Sequence, residues 1–589
     1  MRSFATVCLV LVLLVSLALG EEGPRIGSGK KIIHFFQYWP TAKYLKENIQ
    51  GLQSLPFDGF VIWATTVLDG KEERMAFRWW SPEETGEEHV AEMMRDLKAT
   101  DFGRFTENFL LVHSQSAPLP APSWWDDEAW EKITTNMVLA ARIAKECGLK
   151  GIFFEAEHYG AAETPYKYRF NYGYSQSEEK KLLERGLIEK LHTWEEYASA
   201  ARRRGREIMS AMCGVYPNIT VLSHPGWHEN AKFRRDLFRQ KHLSGSDYGL
   251  LAPFADGLLE GAGEEAVICD GNTNCYPLTL NNRFVARREM IKDAYDVSAV
   301  PGLYKKKMKV ACGIMMDFGF HQDQWYTAPQ DFGRNHFTPI DLGNALYFGL
   351  LSSDRYVWLY SELDGAVFLE NVYGHWQDPK EHAKPTVSDE YILAIRRARE
   401  PRGLDTGRDN SPVAEIPIPK SATELAGRSD KETFGPLGDR YTVVSDLPEE
   451  WLFFADDEDL GISTLGYHTM DTDVSGWNPI RIGDYFQRQG YRFRGNAWYR
   501  CSFRVPKELE GKKVFMLFGG VAACRPQVWV NAELFTKRCD VEESDGVLIV
   551  DISKQAKYGE DNFVVVAIVT KDGEPAGIYK SVKLARTRE

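Results

Sequence analysis

The chain has 589 residues, with 71 Lys and Arg against 84 Asp and Glu and no block of basic residues. This mildly acidic composition argues against a nucleic-acid partner, because phosphate groups need a basic surface. The length predicts more than one domain.

The N-terminal segment is typical of a secretory signal peptide. Residues 1–20 begin with Met-Arg, continue as an apolar run from Val7 to Leu19 and end in small residues around Gly20. The apolar run is shorter than the roughly 20 residues that span a bilayer. We therefore expect cleavage after this segment, and a secreted or periplasmic protein that is not attached to a membrane; the alternative is an uncleaved membrane anchor.

Eight strand-like runs follow, separated by segments in which apolar residues recur with helical spacing. The strand-like runs are 32–38, 59–65, 108–114, 151–157, 207–215, 255–260, 309–317 and 355–362. The helix-compatible segments are 41–52, 84–100, 127–147, 178–205, 283–296 and 341–351. This alternation predicts an α/β fold, a (β/α)8 TIM barrel over residues 30–400, with its chemistry at the C-terminal ends of the strands.

The fourth strand-like run carries the clearest candidate site. Its apolar residues, Ile152 to Phe154, are followed by Glu155 and Glu157. Side chains two apart on a strand share a face, so we expect both glutamates to point into the same cavity. A neighbouring acid raises the pKa of a carboxyl group, as a general acid requires, which favours Glu157 as the proton donor and Glu155 as its helper.

Aromatic and polar side chains occupy or follow the other predicted strand ends. The expected substrate-binding residues are Trp39, Trp63, His113, His158, Tyr159, Asn272, Trp325, Trp358 and Tyr360. Wide aromatic rings stack on the apolar faces of sugars while polar neighbours bond hydroxyl groups. The sequence has no nucleophilic-serine motif, phosphate-binding loop or zinc-type Cys/His spacing, so we expect no cofactor and no metal.

Two pairs of cysteines are candidates for disulfides in an oxidising compartment. Cys269 and Cys275 flank a turn-rich loop, and Cys524 and Cys539 form the second pair. The sequence leaves both pairs open.

The C-terminal third of the chain changes character. Residues 401–444 are rich in proline and charge and predict a linker or wrapping segment. Within residues 445–588, short alternating strands predict an all-β sandwich. These strands are expected at 499–505, 513–518, 527–530, 546–551 and 563–569.

This sandwich resembles the jelly-roll, galactose-binding-like domain of β-galactosidases and β-glucuronidases. The resemblance is carried by Ala-Trp-Tyr-Arg at 497–500, Phe-Arg-Val-Pro at 503–506 and Val-Trp-Val-Asn at 528–531. It implies the jelly-roll fold. Whether the domain binds glycan is left open, because Trp498 and Trp529 fit a sandwich core as well as a sugar site.

The barrel resembles the broad class of (β/α)8 glycoside hydrolases, in which an acid at the end of the fourth strand is common. The Phe-Phe-Glu-Ala-Glu run at 153–157 is also similar to chitinase-like enzymes, whose fourth strand ends in Asp-x-Glu and whose eighth carries a Trp. The resemblance implies that Glu157 is the acid, Glu155 replaces the helper aspartate and Trp358 is the floor of the sugar subsite. Phe153 stands where that family has a further Asp.

A second carboxylate is needed opposite Glu157, and the candidates are Glu260, Asp317 and Glu362. The resemblance favours Asp317, since the seventh strand faces the fourth across the mouth of many retaining barrel hydrolases. If the substrate carries an N-acetyl group, assistance by Glu155 is the alternative.

The implied function is a secreted glycoside hydrolase acting on a poly- or oligosaccharide. The alternative is a non-catalytic glycan-binding protein, or a barrel with another polysaccharide chemistry such as that of a lyase or esterase. A second carboxylate opposite Glu157 distinguishes a hydrolase from a glycan-binding protein, because the hydrolase needs it for catalysis and the binding protein does not.

Overall fold

The computed structural model divides the chain into two compact units, Met1–Arg408 and Asp409–Glu589. Among the residues that the structure describes, no helix is long and apolar enough to cross a membrane. The segment 1–20 lies outside the described residues. Those residues are 23–36, 40–68, 71–75, 78–114, 122–157, 170–227, 243–245, 248–318, 335–361, 388–404, 427, 429–456, 461, 466–470, 472, 474–491, 495–522, 526–534, 541–544, 547–570 and 575–588.

The first unit is built on a parallel sheet. Its strands are β1 Lys31–Phe36, β2 Gly59–Ile62, β3 Thr65–Leu68, β4 Lys71–Arg74, β5 Phe109–His113, β6 Gly151–Glu155, β7 Thr220–His224, β8 Val267–Asp270, β9 Met308–Val310, β10 Cys312–Met315 and β11 Tyr356–Ser361. Apart from the β3–β4 hairpin they form one sheet in the order β10-β11-β1-β2-β5-β6-β7-β8-β9. Because the edge strands β9 and β10 are separated along the chain only by Ala311, the sheet is a nearly closed barrel.

Helices separate the barrel strands. They are α1 Ala42–Leu52, α2 Glu87–Ala99, α3 Asp127–Glu146, α4 Tyr172–Glu184, α5 Trp194–Val215, α6 Leu251–Gly261, α7 Asn281–Asp293, α8 Pro301–Lys307, α9 Pro339–Ser352 and α10 Asp389–Arg396. Local chemistry explains several of their starts. Thr193 and Glu196 form a reciprocal capping box at the start of α5, which satisfies backbone N–H groups that the first helical turn leaves unpaired.

Two of the eight predicted strands are wrong. The run 207–215 is the second half of α5, and 255–260 lies within α6. The strands in these places are β7 and β8, which follow those helices. Short apolar runs fit a buried helix as well as a strand, and here Ile208, Met209 and Met212 are buried with helical spacing. Five of the other six strands are confirmed, with ends that differ by a few residues, whereas the run 309–317 contains two strands, β9 and β10, rather than one.

Alternate residues of each strand fill the barrel interior. The buried cluster there consists of Ile33, Phe35, Val61, Trp63, Phe109, Leu111, Phe153, Leu222, Cys269, Ala311, Met315, Tyr356, Trp358 and Tyr360. These positions are two apart along their strands, as side-chain alternation requires. On β5, β6 and β7, the inward-facing position that follows the last core residue is also the final residue of the strand.

The cysteine residues of the barrel are free thiols. Cys269 and Cys275 are both buried and unbridged, so the first candidate disulfide is wrong. Cys275 hydrogen-bonds Cys312 instead, and burial raises the pKa of the Cys275 thiol. The second candidate pair, Cys524 and Cys539, lies outside the described residues.

The second unit contains a short helix and antiparallel sheets. Its elements are α11 Asp430–Phe434, β12 Tyr441–Asp446, β13 Glu450–Asp456, β14 Asn478–Arg481, β15 Gly495–Arg504, β16 Val514–Phe518, β17 Val521–Ala522, β18 Gln527–Val530, β19 Glu533–Leu534, β20 Val541–Ser544, β21 Val547–Asp551, β22 Asp561–Thr570, β23 Gly577–Ile578 and β24 Val582–Thr587. Two larger sheets run β12-β24-β16-β21-β20 and β14-β13-β15-β22-β18-β19. Residues of both, such as Phe453, Tyr499, Met516 and Leu584, share one core.

Trp498 and Trp529 belong to a second apolar cluster, on the face of the six-stranded sheet opposite this shared core. Their rings stack with centroids 5.4 Å apart, and Trp498 Nε1 donates to Asp456 Oδ2 at 3.0 Å. Both rings are buried. The burial of both rings and their stacking on each other therefore favour a role in core packing over a role in binding a sugar.

Candidate active site at the carboxyl ends of the barrel strands

Three neighbouring barrel strands end in polar residues at matching register. His113 of β5 pairs with Glu155 of β6, and Glu155 pairs with His224 of β7. Each lies two residues beyond an inward-facing core residue of its own strand. The three side chains are therefore brought together above the apolar barrel interior, where parallel-barrel enzymes carry their chemistry.

Glu155 is the centre of this group and is 1% exposed. Its Oε2 lies 2.6 Å from His224 Nδ1, and its Oε1 accepts the backbone N–H of Glu157 at 3.1 Å. Burial raises the pKa of the Glu155 carboxyl group. The contact with His224 opposes that rise and the nearby charge of Glu157 adds to it. The Glu155 carboxyl group and the His224 imidazole are therefore in direct contact.

His224 is fixed by a second partner and by aromatic packing. Its Nε2 lies 2.5 Å from the hydroxyl group of Tyr276. Trp358 packs against the imidazole in a T-shaped arrangement with ring centroids 5.0 Å apart, and Phe153 stacks on it at a centroid distance of 6.2 Å. These contacts hold Nδ1 towards Glu155, which creates a continuous carboxylate–imidazole–phenol chain.

Glu157 lies close to Glu155, but not through strand alternation. β6 ends at Glu155, and the Ala156 backbone N–H donates to His224 O at 2.5 Å. The chain then turns so that the N–H of Glu157 caps the Glu155 carboxylate. Glu157 is half-buried, so its carboxyl group retains access to solvent that Glu155 lacks.

Among the described residues, this group also has the composition of a metal site. Glu155, Glu157 and His224 each offer one ligand atom, and these atoms lie within 4.8 Å of one another.

Two predicted substrate-binding residues line the same end of the barrel. His113 is buried beside Trp63, with ring centroids 5.4 Å apart. Burial, reinforced by the charge of His224, lowers the pKa of His113 to about 3, so its imidazole is neutral near pH 7. The indole N–H of Trp63 donates to Phe36 O at 3.1 Å, which fixes this ring in place.

Trp358 and Tyr360 are part of the barrel interior rather than an exposed sugar platform. Trp358 is 0% exposed, and its Nε1 donates to Gly271 O at 2.8 Å. Tyr360 is buried and stacks on Tyr276 with centroids 6.0 Å apart and an interplanar angle of 12°. Both rings support the groups that hold His224.

Asn272 begins the turn that carries Tyr276. It adopts a left-handed backbone with φ 48°, its N–H donates to Asp270 Oδ1 at 3.0 Å and its side chain is buried. Asparagine tolerates this conformation better than most residues. Its structural contribution is therefore the geometry of the turn between β8 and α7.

Glu260 does not lie at a strand end, contrary to prediction. It is on α6, and Arg202 of α5 donates to both of its oxygens, from Nε at 3.0 Å and from Nη2 at 2.5 Å. The hydrogen bond from Arg202 lowers the pKa of Glu260. This carboxylate is occupied by an ion pair between two helices.

Asp317 is fully buried just beyond the end of β10. The remaining predicted site residues lie outside the described residues; they are Glu362, Trp39, His158, Tyr159 and Trp325.

His224 and Tyr276 are the site residues that sequence reasoning missed. His224 escapes prediction because the apolar pattern places the fifth strand at 207–215. The signal was present in Ile-Thr-Val-Leu-Ser-His at 219–224, a β-branched apolar run that a Pro-Gly pair follows. Nothing local marks Tyr276, whose contact with His224 spans 52 residues.

Comparison with known proteins gives a weak and partial relationship. No protein-family model matches the chain. A β-glucuronidase of Formosa agariphila is 26% identical over 110 residues, which are 18% of this chain and 10% of that protein. The chain thus spans about a tenth of the length of this curated relative.

The solved structures of a β-glucuronidase from Ruminococcus gnavus are similarly partial matches. The apo structure gives a TM-score of 0.22 and 23% identity, over 26% of this chain and 30% of that chain. The complex with D-glucuronic acid gives a TM-score of 0.21 and 22% identity over the same shares.

Proposed function

We propose that the protein is a glycoside hydrolase that cleaves the O-glycosidic bonds of a poly- or oligosaccharide, with Glu157 as the proton donor. The observation that carries the proposal is the pair of adjacent carboxyl groups above the barrel interior. One is half-buried and accessible, and the other is sealed and bonded to His224. The weak likeness to a β-glucuronidase, a glycoside hydrolase, supports the same reaction class.

Glycosidic cleavage needs a protonated acid at the leaving oxygen and a second group that stabilises the sugar centre. Glu157 suits the first role because its carboxyl group is accessible and stands beside a second acid. Glu155 then positions Glu157, through its hydrogen bond to the Glu157 backbone, and His224 holds Glu155 in place.

The second role falls to Asp317 in this proposal. Asp317 lies just beyond the end of β10, a different strand from β6, whereas Glu155 adjoins Glu157 at the end of β6 and is held by His224 and by the Glu157 backbone. For a substrate with an N-acetyl group, Glu155 would instead assist that group. Replacing Asp317 by Asn distinguishes the two mechanisms. Activity should be lost if Asp317 is the nucleophile or base, and retained if Glu155 assists an N-acetyl group of the substrate.

We further propose that residues 1–20 direct export and are removed, and that the second unit is a galactose-binding-like jelly roll. N-terminal sequencing of the protein secreted from its host tests the export proposal. A first residue before position 20 would contradict it.

The test of the activity is the release of reducing sugar from a panel of polysaccharides, run with the intact chain and with Glu157→Gln. Glu260→Gln is the matched control, because its carboxylate is held by Arg202 between two helices. We expect Glu157→Gln to lose about 100-fold or more in kcat on natural substrates, as loss of a general acid does. The control should lose little.

An aryl glycoside with a good leaving group sharpens the assignment. Loss of the proton donor should be partly hidden by such a substrate, whereas loss of a nucleophile should not. If Glu157→Gln keeps full activity on a natural substrate, the assignment of the acid is wrong. If no polysaccharide in the panel yields reducing sugar, the glycan-binding alternative is favoured.

A further inference from the structure

The group formed by Glu155, Glu157 and His224 has the composition and spacing of a metal-binding site. One donor atom from each residue lies within 4.8 Å of those from the other two, and Glu155 Oε2 lies 2.6 Å from His224 Nδ1. Metal bonds of about 2.0–2.2 Å to nitrogen and oxygen place ligand atoms about 3–4 Å from each other. Small side-chain rotations would therefore bring all three atoms around one ion.

The surroundings of His224 fit a ligand role independently of the carboxylates. A metal-bound imidazole almost always donates its other ring N–H to a fixed partner, which sets its tautomer and orientation. Tyr276 occupies that position at Nε2, at 2.5 Å. With the Nε2 proton directed to Tyr276, the lone pair of Nδ1 faces the two glutamates. The rings of Trp358 and Phe153 restrict the imidazole further.

The two glutamates are also prepared for this role. The backbone N–H of Glu157 holds Oε1 of Glu155, which leaves Oε2 turned towards His224. Glu155 and His224 are buried, so a cation between them would be shielded from competing water, while half-buried Glu157 leaves a route of entry. One imidazole nitrogen and two carboxylate oxygens suit a divalent first-row ion and leave a position for water.

We propose that Glu155, Glu157 and His224 bind one divalent transition-metal ion of the Zn²⁺ or Mn²⁺ class. The ion takes the place of the hydrogen between Glu155 and His224, and the displaced proton leaves to solvent. In the proposed hydrolase, a bound ion would hold Glu157 as a carboxylate and remove the proton donor. The ion would then act as an inhibitor rather than a cofactor. Binding itself is independent of that activity, because it is measured without substrate.

The test is equilibrium dialysis of the chelator-treated full chain against Zn²⁺ and, separately, Mn²⁺, with elemental analysis of the protein. We expect one ion per chain at micromolar free metal. His224→Gln and Glu157→Gln should each weaken binding by about 100-fold or more, since each removes a ligand. Tyr276→Phe, which removes only the partner of Nε2, should weaken it by about 10-fold.

Glu260→Gln controls for a carboxylate outside the group and should leave binding unchanged. Thermal unfolding of each variant identifies any that fail to fold, and a variant at half-buried Glu157 should disturb the interior less than one at buried His224. Binding that persists at full strength in both Glu157→Gln and His224→Gln would overturn the proposal. So would the absence of stoichiometric binding. A chain that binds the ion but hydrolyses no glycan would overturn the proposed function alone.

Discussion

Replacing Trp358 by Ala tests whether this ring belongs to the barrel core or to a sugar-binding surface. The ring is 0% exposed and packs between Phe35 and Phe153, with its Nε1 bonded to Gly271 O. A buried aromatic ring removes about 150–250 Å² from water, which at about 25 cal/mol per Å² corresponds to roughly 4–6 kcal/mol. We therefore expect the free energy of unfolding to fall by about 3–5 kcal/mol, the usual range for such a truncation.

Gly313 supplies an internal check on this prediction. A Cβ atom at position 313 would lie 2.4 Å from Cζ2 of Trp358, closer than side chains pack. Gly313→Ala alone should therefore cost about 1–3 kcal/mol through overpacking. In the Trp358→Ala background the cavity accommodates the added methyl group, so the same change should cost much less. The expected coupling between the two sites is about 1–3 kcal/mol.

The assay is urea unfolding of the parent chain, the two single variants and the double variant, followed by circular dichroism. Additive changes in unfolding free energy would refute the packing argument. Glycan affinity is measured on the same proteins at a temperature where all are folded. A Trp358→Ala protein that unfolds like the parent but binds glycan more weakly by about 1–3 kcal/mol would identify the ring as a sugar platform instead.

Two further predictions concern acid stability and the second unit. Burial lowers the pKa of His34 to about 3, so the unfolded chain binds this proton near pH 6.5 and the folded chain does not. The contribution of His34 to stability is present above about pH 6.5 and should therefore fall by about 3 kcal/mol from about pH 7 to about pH 4. Because the pKa of His113 is lowered in the same way, the pH slope of His34→Leu should be smaller than that of the parent but not zero, and an unchanged slope would contradict this. Asp456→Ala removes the buried acceptor of the Trp498 and Gly461 N–H groups and should destabilise the second unit by about 2–3 kcal/mol. Asp561→Ala, at an exposed ion pair, should change the same thermal transition little.

Local pattern in the sequence was enough to locate most of the barrel. Strands such as β1, β5, β6 and β11 are short apolar runs bounded by turn residues, and helices such as α3 carry a continuous apolar stripe. These signals are local because alternation and helical spacing are properties of neighbouring residues. For the same reason the sequence placed Glu155 at the end of a buried strand and identified it with Glu157 as the candidate centre.

Where local pattern fits two structures, only the tertiary fold decided between them. The runs 207–215 and 255–260 are apolar enough for strands, but α5 and α6 pack against each other as helices, with Gly205 and Gly257 at close approach. The same error hid β7 and therefore His224. It also placed Glu260 at a strand end, although Arg202 binds it between two helices.

The environment of each site residue was likewise decided by the tertiary structure. The sequence pattern places Trp358 near the end of a predicted strand, where an aromatic ring could either stack on a sugar or pack in the core. Its burial depends on neighbours from other strands, Phe35 and Phe153, that no local pattern identifies. The contact of Tyr276 with His224 joins residues 52 positions apart. Sequence alone therefore determined which residue types reach the strand ends, and the packing of distant strands determined which of them meet, because burial and hydrogen bonding are properties of the assembled barrel.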